Sequence, residues 1–440
     1  MASYTINVPD DKIAALKQKL SQATFPDEVS AATFPDELEG AGNDYGAPLA
    51  EVKRLTEYWK TSYDWKAAEA KLNALPNFHK SIKVDGFPAL DIHYLHQPSD
   101  SPDAIPLLFC HGWPGSYVEV TKMLELLKSS VNGVSFHVVA PSLPNFAWSE
   151  GPKQKGFGLK QYAEVSEPQS STATKTLIMP RGQPPPNALS RLPQIRNPRR
   201  RLGLLHHPRH GPPLPAISHG VPHQHDPRES MLQHALQPYS QREKEGFERS
   251  KWFNEEGNGY RVLQCTKPQT VGYALADSPV GLLAWMLEKL VDWTNSAHPR
   301  IPIPHPDPSP LTPHLPDYPW TDDDLLTWIS IYHFSTAGPA ASLRIYYEAV
   351  HSSPLNGISR DRTQQWIGKV KLGLCHSPRE LTVVPSTWAR TLGPVVFESF
   401  KEKGGHFAAW EVPEEIVGDL RGMFGRGGAC YGITGPVAKL

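Results

Sequence analysis

Hydrophobic and polar positions follow two periods along this chain, one typical of helices and one of buried strands. Residues 10–20 place apolar side chains at helical spacing behind an acidic start, which predicts an amphipathic helix. Short apolar runs at 105–110 and 136–140 end at turn residues, as buried parallel strands do. The same patterns predict helices at 280–293, 339–350 and 413–424, and a late strand at 395–397. Strands that alternate with helices indicate an α/β fold with a mostly parallel sheet.

Length and charge narrow the classes of partner. The 440 residues are enough for a sizeable core, and a net charge of −1 argues against nucleic acid or an anionic membrane surface. The first residues lack the basic-then-apolar pattern of a signal peptide, and no apolar run is long enough for a membrane span. The four widely spaced cysteines match no disulfide or metal signature. We therefore expect a cytoplasmic protein that uses no metal and no cofactor.

Two segments break the pattern because they are dense in proline. Residues 166–230 contain thirteen prolines, eight arginines and six histidines, and no Phe, Tyr or Trp. Residues 298–316 hold eight prolines in nineteen positions. Proline has no N–H to donate, so neither segment suits a helix or a central strand. The first segment also has too few apolar residues to form a core of its own.

Candidate chemistry lies on both sides of the first of these segments. The sequence His111-Gly112-Trp113-Pro114-Gly115-Ser116 follows the predicted strand at 105–110, where hydrolases of the α/β class offer a backbone N–H to a developing oxyanion. Near the C-terminus, two glycines precede His406 and allow a sharp turn that presents the imidazole. Glu380 precedes His406 at the end of a strand-like run. A late acid followed by a late histidine matches the α/β-hydrolase chain order.

Several long motifs occur in order and carry a family resemblance. They are HGWPGS, APSLPNFAWSEGP, GFGLKQYAEV, QCTKPQTVGYALADSPVGLLAWMLEKLVDW, STAGPAASLRIYYE and GGHFAAWEVPEE. Together they closely resemble the microsomal-type epoxide hydrolases, particularly the soluble fungal members. The resemblance covers roughly 1–165, 231–294 and 317–440. It implies an α/β-hydrolase core, an N-terminal segment packed against it, and a helical lid between two late strands.

The resemblance also implies how the chain is divided. The expected parts are an N-terminal epoxide-hydrolase segment at 1–95, a first part of the core at 96–165, an aberrant segment at 166–230 in place of the nucleophile elbow, a helical lid at 231–350 with a proline-rich insert at 295–316, and a second part of the core at 351–440.

The family mechanism assigns roles to individual residues. An aspartate attacks an epoxide carbon and forms an ester, two lid tyrosines donate hydrogen bonds to the epoxide oxygen, and a histidine oriented by an acid activates water. By motif position, the base is His406, its acidic partner is Glu380, the lid tyrosines are Tyr260 and Tyr346 with Tyr347 as a neighbouring alternative, and the oxyanion-hole position is Trp113. The implied partners are a small-molecule epoxide and water. The substrate-binding residues stay unknown, and a homodimer is one option.

The nucleophilic aspartate is missing from its expected place. The family motif YVTxGGDWGFxxTRxMG is absent after YAEV, but residues 196–211 can be encoded so that a shift of one nucleotide yields VTxGGDWGFFITRAM, with His or Arg at the position marked x. The aspartate codon then spans Arg201 and Leu202, neither of which can attack a carbon. Residues 165–166 can be written GTGAGT, which resembles an intron start, so unspliced sequence in about 166–183 explains the shift. We therefore expect this chain to express poorly and to lack epoxide turnover.

Two other functions stay open at this stage. A haloalkane dehalogenase uses the same Asp, His and acid, but a departing halide needs no pair of phenols to protonate it. A non-catalytic binding protein would keep the lid and pocket without the nucleophile, although the retained His406 motif and the shifted frame argue against it.

Overall fold

The structure is a computed structural model that describes residues 2–25, 45–166, 177–178, 239–295, 319–351, 358, 363, 365–368 and 370–432. The aberrant segment at 166–230 lies outside the described residues except for Ser166 and 177–178. Arg201 and Leu202 are therefore not described, and of the insert at 295–316 only Asn295 is. What was predicted for these segments stays a prediction.

The described strands form two sheets. The six-stranded sheet has the order β1-β2-β3-β5-β4-β6, and β7 and β8 form a separate parallel pair. The strands are β1 (Ala2–Ser3), β2 (Asn77–Val84), β3 (Phe87–Gln97), β4 (Ile105–Phe109), β5 (Phe136–Pro141), β6 (Leu177–Ile178), β7 (Leu372–His376) and β8 (Val395–Phe400). Strand β4 runs parallel to both β5 and β6, whereas β1, β2 and β3 extend the sheet in antiparallel fashion.

A tight hairpin explains the antiparallel part of the sheet. Val84 of β2 pairs with Phe87 of β3, so the connection is Asp85-Gly86. Gly86 has a φ of +77°, which a residue with a Cβ rarely adopts. Asp-Gly is a strong short-range hairpin signal because such turns need positive φ values. The short apolar runs at 105–110 and 136–140 predicted only the parallel strands that follow.

Helices pack against the sheets and against one another. They are α1 (Asp10–Ser21), α2 (Leu49–Thr61), α3 (Trp65–Asn73), α4 (Leu124–Lys128), α5 (Leu159–Ser166), α6 (Gln241–Trp252), α7 (Gly259–Thr266), α8 (Pro268–Asp277), α9 (Pro279–Asp292), α10 (Asp322–His333), α11 (Arg344–His351), α12 (Ser386–Ala389), α13 (Ala408–Glu411) and α14 (Pro413–Phe424). The alternation of strand and helix confirms the α/β class.

Most predicted elements occur at their predicted places. Helices α1, α9 and α14 and strands β4, β5 and β8 lie at the predicted positions, to within three residues at each end. The helix predicted at 339–350 begins later, at Arg344, because 341–343 form a 3-10 turn after Gly338, whose φ is +95°. The pattern found the helix but not its start.

The N-terminal part of the chain packs against helix α10. The guanidinium of Arg54 on α2 donates two hydrogen bonds to Asp322 at the start of α10, at 2.6 and 2.8 Å. The hydroxyl of Tyr63 lies 3.0 Å from Oγ1 of Thr327. A bidentate guanidinium–carboxylate pair fixes orientation as well as distance. In the ranges that the structure describes, no helix combines the length and apolar character needed to cross a bilayer.

Candidate active site

The two loops that follow β7 and β8 bring a histidine and a carboxylate together. Because β7 and β8 are parallel neighbours, their carboxyl ends meet at one edge, and Arg379 forms a bridge with Gly405 there. Nδ1 of His406 lies 2.7 Å from Oε1 of Glu380, and both side chains are largely buried. The predicted pair is therefore brought into hydrogen-bond contact.

The two glycines before His406 are required by the geometry of the loop. Gly404 has a φ of +96°, and a Cβ on Gly405 would lie 2.2 Å from the carbonyl oxygen of Trp293. That same carbonyl accepts a hydrogen bond from the N–H of His406 at 2.8 Å. The loop therefore approaches the end of α9 more closely than any residue with a side chain would allow.

A second carboxylate holds the histidine loop from both sides. Oε1 of Glu411 accepts hydrogen bonds from the N–H groups of Gly405 and Phe407, each at 3.1 Å, and Oε2 accepts one from Asn295 at 2.8 Å. Burial raises the pKa of Glu411 to about 7, although these hydrogen bonds oppose the shift. Sequence reasoning missed this residue. Its only signal was a glutamate five positions after the histidine in the same motif.

The surroundings of His406 favour its protonated form. Burial by itself would lower the pKa of His406, but the charge of Glu380 and its hydrogen bond raise the pKa above the usual value. Glu119 and Glu411 act in the same direction. A carboxylate that accepts from Nδ1 also fixes the imidazole tautomer, so that Nε2 is the atom left to exchange a proton.

The loop after β4 is held by hydrogen bonds from α10 and by the capping box of the helical turn that follows it. The indole Nε1 of Trp328 donates to the carbonyl of Pro114 at 2.6 Å, and the hydroxyl of Tyr332 donates to the carbonyl of Gly115 at 2.5 Å. Glu119 accepts from the N–H of Ser116 at 3.2 Å in a capping box. These bonds hold two consecutive peptide groups, those that join Pro114 to Gly115 and Gly115 to Ser116, next to Trp113.

Both predicted lid tyrosines lie against Trp113. Tyr260 comes from α7 and stacks on Trp113 with ring centroids 5.1 Å apart and planes 15° apart. Tyr346 comes from α11 and meets Trp113 edge-on at 5.8 Å. The two tyrosine rings are 5.8 Å apart. The alternative, Tyr347, stacks instead on His351 at 4.1 Å.

One indole connects the tyrosines to the histidine. The ring of Trp293 lies 5.1 Å from Tyr260 and 5.2 Å from His406. Trp113, Tyr260, Tyr346, Trp293 and His406 thus form one continuous cluster. A narrow apolar recess adjoins it, and its lining residues are Trp113, Leu275, Leu282, Trp285, Met286, Tyr332, Pro339, Ser342 and Leu343.

Comparisons with known proteins agree with this architecture. The chain matches the family described as epoxide hydrolase N terminus over residues 1–120 and the alpha/beta hydrolase fold over residues 105–171. A protein of Stigmatella aurantiaca (strain DW4/3-1), provisionally named an epoxide hydrolase, is 33% identical, and the match covers 96% of this chain and 84% of the relative. Epoxide hydrolase 1 of Oryctolagus cuniculus is 28% identical, with coverage of 95% and 90%.

A solved structure extends the likeness to three dimensions. The epoxide hydrolase of Aspergillus niger superposes with a TM-score of 0.65 at 25% identity, covering 96% of this chain and 95% of that one. The resemblance drawn from the motifs is thereby confirmed for family and fold. The match to the 33% identical Stigmatella aurantiaca protein covers 96% of this chain. The chain therefore belongs to the epoxide hydrolase family of the α/β-hydrolase superfamily.

Proposed function

We propose that the gene encodes an enzyme that opens an epoxide to a vicinal diol through an aspartyl ester. The observation that carries this proposal is the single cluster in which the His406–Glu380 pair, Tyr260 and Tyr346 surround Trp113 and Trp293. Esterification, alkoxide protonation and ester hydrolysis need a nucleophile, an acid and a base. The described cluster supplies candidates for the last two.

In the first step, a carboxylate oxygen attacks an epoxide carbon and the carbon–oxygen bond breaks toward the epoxide oxygen. Tyr260 and Tyr346 donate hydrogen bonds to that oxygen as negative charge develops on it. In the second step, His406 takes a proton from water, and the hydroxide formed attacks the ester carbonyl. Glu380 stabilises the imidazolium, and a backbone N–H in the loop that carries Trp113 stabilises the oxyanion. The diol leaves and the carboxylate is restored, while the proton on His406 replaces the one that the tyrosines gave to the alkoxide.

We propose further that the chain as printed does not complete the first step. The aspartate of this step corresponds to the codon that spans Arg201 and Leu202 in the shifted frame. A guanidinium and an isobutyl group have no electron pair that can attack an epoxide carbon. The site then keeps its acid and base without a nucleophile.

The direct test compares the printed chain with a frame-restored chain. In the frame-restored chain, the shifted frame is translated and the inserts at about 166–183 and 295–316 are removed. We expect diol formation above background only from the frame-restored chain. Diol formation by the printed chain would contradict the missing nucleophile, and its absence from both chains would contradict the proposed function.

The paired tyrosines distinguish this proposal from a dehalogenase. A halide leaves without a proton, so a dehalogenase gains little from two phenols that face the leaving atom. Incubation of the frame-restored chain with an epoxide and with a chloroalkane of the same carbon skeleton tests this. We expect turnover of the epoxide alone, and faster release of chloride than formation of diol would favour the dehalogenase.

The state of the cysteine thiols indicates which cellular compartment suits this chain. All four lie in the described part of the chain, and none forms a disulfide. Burial raises the pKa of the Cys110 and Cys375 thiols to about 11, which keeps them protonated and unreactive. We therefore propose a reducing, cytoplasmic setting, which localisation of a tagged chain in cells would test.

A further inference from the structure

A lysine is buried behind the ring of one of the proposed acids. Lys289 lies on α9, and its side chain is only 2% exposed. Its Nζ lies 5.3 Å from the centroid of the Tyr260 ring and 4.5 Å from that of Trp285, one helical turn earlier. Lysine is almost never fully buried unless it is paired. A lysine at this place therefore needs a physical reason.

The ion pair that Lys289 forms explains its burial only in part. Nζ donates to Oε1 of Glu288 at 2.7 Å, and the Glu288 side chain is one-third exposed. Burial lowers the pKa of Lys289, while Glu288 and Asp292 oppose the shift. If Lys289 served only to pair with Glu288, a position at the surface would avoid the free-energy cost of removing its ammonium from water. Its ammonium instead lies over the rings of Tyr260 and Trp285.

The ring beneath the ammonium is held in place from several directions. Tyr260 stacks on Trp113, contacts Trp293 at 5.1 Å, and is itself 4% exposed. A cation within about 6 Å of a ring centroid is attracted to the negative face of the ring, and more strongly when water is excluded. That attraction grows when the ring acquires negative charge, because a full charge then replaces a quadrupole.

We propose that Lys289 is a positioning residue that stabilises the negative charge on Tyr260 as its proton shifts toward the epoxide oxygen. The proposal rests on the proposed function, since it takes Tyr260 as an acid of the reaction. The proton moves from the phenol oxygen to the alkoxide, and the phenolate regains a proton from His406 once the ester has been hydrolysed. The ammonium stays on Lys289 throughout and lowers the energy of the resulting phenolate.

Ionisation of Tyr260 can be measured without any turnover. Ultraviolet titration of tyrosinate in the printed chain, minus the same titration of Tyr260→Phe, isolates the midpoint of Tyr260. We expect Lys289→Met to make Tyr260 about tenfold less acidic, a rise of about one pH unit in the midpoint. Lys267→Met removes the same charge from an exposed position next to α7 and should leave the midpoint unchanged. Equal midpoints in the two methionine variants would overturn the proposal.

A second variant keeps the proposal testable if Lys289→Met does not fold. Glu288→Gln removes the counterion and leaves the ammonium, so the Tyr260 midpoint should fall. An unchanged or higher midpoint in Glu288→Gln would also overturn the proposal. Lys289→Arg, which keeps the charge, should titrate close to the parent chain, and a midpoint as high as that of Lys289→Met would count against the charge effect.

Kinetics separate this inference from the proposed function. In the frame-restored chain, Lys289→Met should lower kcat about tenfold with little change in KM, because the charge acts only as the alkoxide forms. A tenfold loss of kcat/KM that came from a higher KM, with kcat unchanged, would contradict the proposal. If the frame-restored chain makes no diol, the proposed function fails, while the tyrosinate titration still decides whether Lys289 acts on Tyr260.

Discussion

The base side and the acid side of this site are held by different forces. The His406 loop is fixed by directional bonds, since Glu411 accepts from the N–H groups on both sides of the histidine and the carbonyl of Trp293 accepts from its own. Tyr260 and Tyr346 are positioned by ring packing around Trp113. The His406 loop should therefore lose much of its stability when one of these bonds is removed or one close contact is disturbed. The acid side should tolerate changes that preserve ring shape.

The largest effect on the free energy of unfolding should come from a change at Gly405, where the His406 loop approaches the Trp293 carbonyl most closely. Gly405→Ala would place a Cβ 2.2 Å from the Trp293 carbonyl oxygen, so the loop must move. We expect a loss of about 3 kcal/mol in the free energy of unfolding. Gly418→Ala on α14 is the matched control, because its Cβ meets nothing within 4 Å, and it should stabilise the chain by about 0.5 kcal/mol. Denaturant unfolding measures both, and similar values for the two variants would show that the loop is not confined.

A somewhat smaller effect should follow from removing the carboxylate that holds the loop. Glu411→Ala leaves the N–H groups of Gly405 and Phe407 without their acceptor. We expect a loss of about 2 kcal/mol. Glu414→Ala, an exposed change in the first turn of α14, is the control. Unfolding free energies within 0.5 kcal/mol of each other, a margin of about the usual surface effect, would contradict the role of Glu411.

The pH dependence of stability sharpens the comparison at Glu119. Burial raises its pKa to about 8 from 4.5, although the neighbouring His406 charge and the Ser116 N–H oppose the shift. Between these two values the folded state keeps a proton that the unfolded state has lost, so stability from this group falls as pH rises. Glu119→Gln removes this dependence and should gain about 2 kcal/mol on the parent chain between about pH 6 and pH 7.5. Glu125→Gln, at an exposed position, should show no such trend.

The smallest effect on stability should be on the acid side. Tyr260→Phe preserves the ring that stacks on Trp113, so we expect a change below about 1 kcal/mol in unfolding free energy. In the frame-restored chain the same variant should lose about a hundredfold in kcat, because the donor to the alkoxide is gone. Tyr347→Phe, whose ring stacks on His351 instead, should keep most of its activity. Equal kcat values for both variants would contradict the choice of Tyr260.

Sequence patterns predicted the elements well and the site partly. The motif order predicted that His406 and Glu380 belong together, and their side chains are in contact. The hydrophobic pattern also gave helix α14 its bounds, since Pro413 starts it and Gly425 follows its last residue. These signals are local, so they are visible in one stretch of chain.

Other features were out of reach because they depend on approach between distant segments. Glu411 acts through backbone N–H groups, whose direction no side-chain pattern records. Lys289 appeared to be an ordinary polar position on α9, and only the packing of α7 against it reveals the ring beneath its ammonium. Motif position already placed Tyr346 ahead of Tyr347, but the sequence does not record the direction of each ring.

The missing nucleophile differs from all of these, because the evidence for it is in the codons that the sequence permits. Residues 196–211 have the composition of a linker, yet a shifted frame turns them into the nucleophile motif. The measurement that tests this most directly is the intact mass of the frame-restored chain carrying His406→Gln, after incubation with an epoxide. Without its base, this variant should form the ester and fail to hydrolyse it. We predict a mass gain of one epoxide per chain, and none when the restored aspartate is also changed to asparagine. No gain in the first variant, or an equal gain in both, would contradict the account.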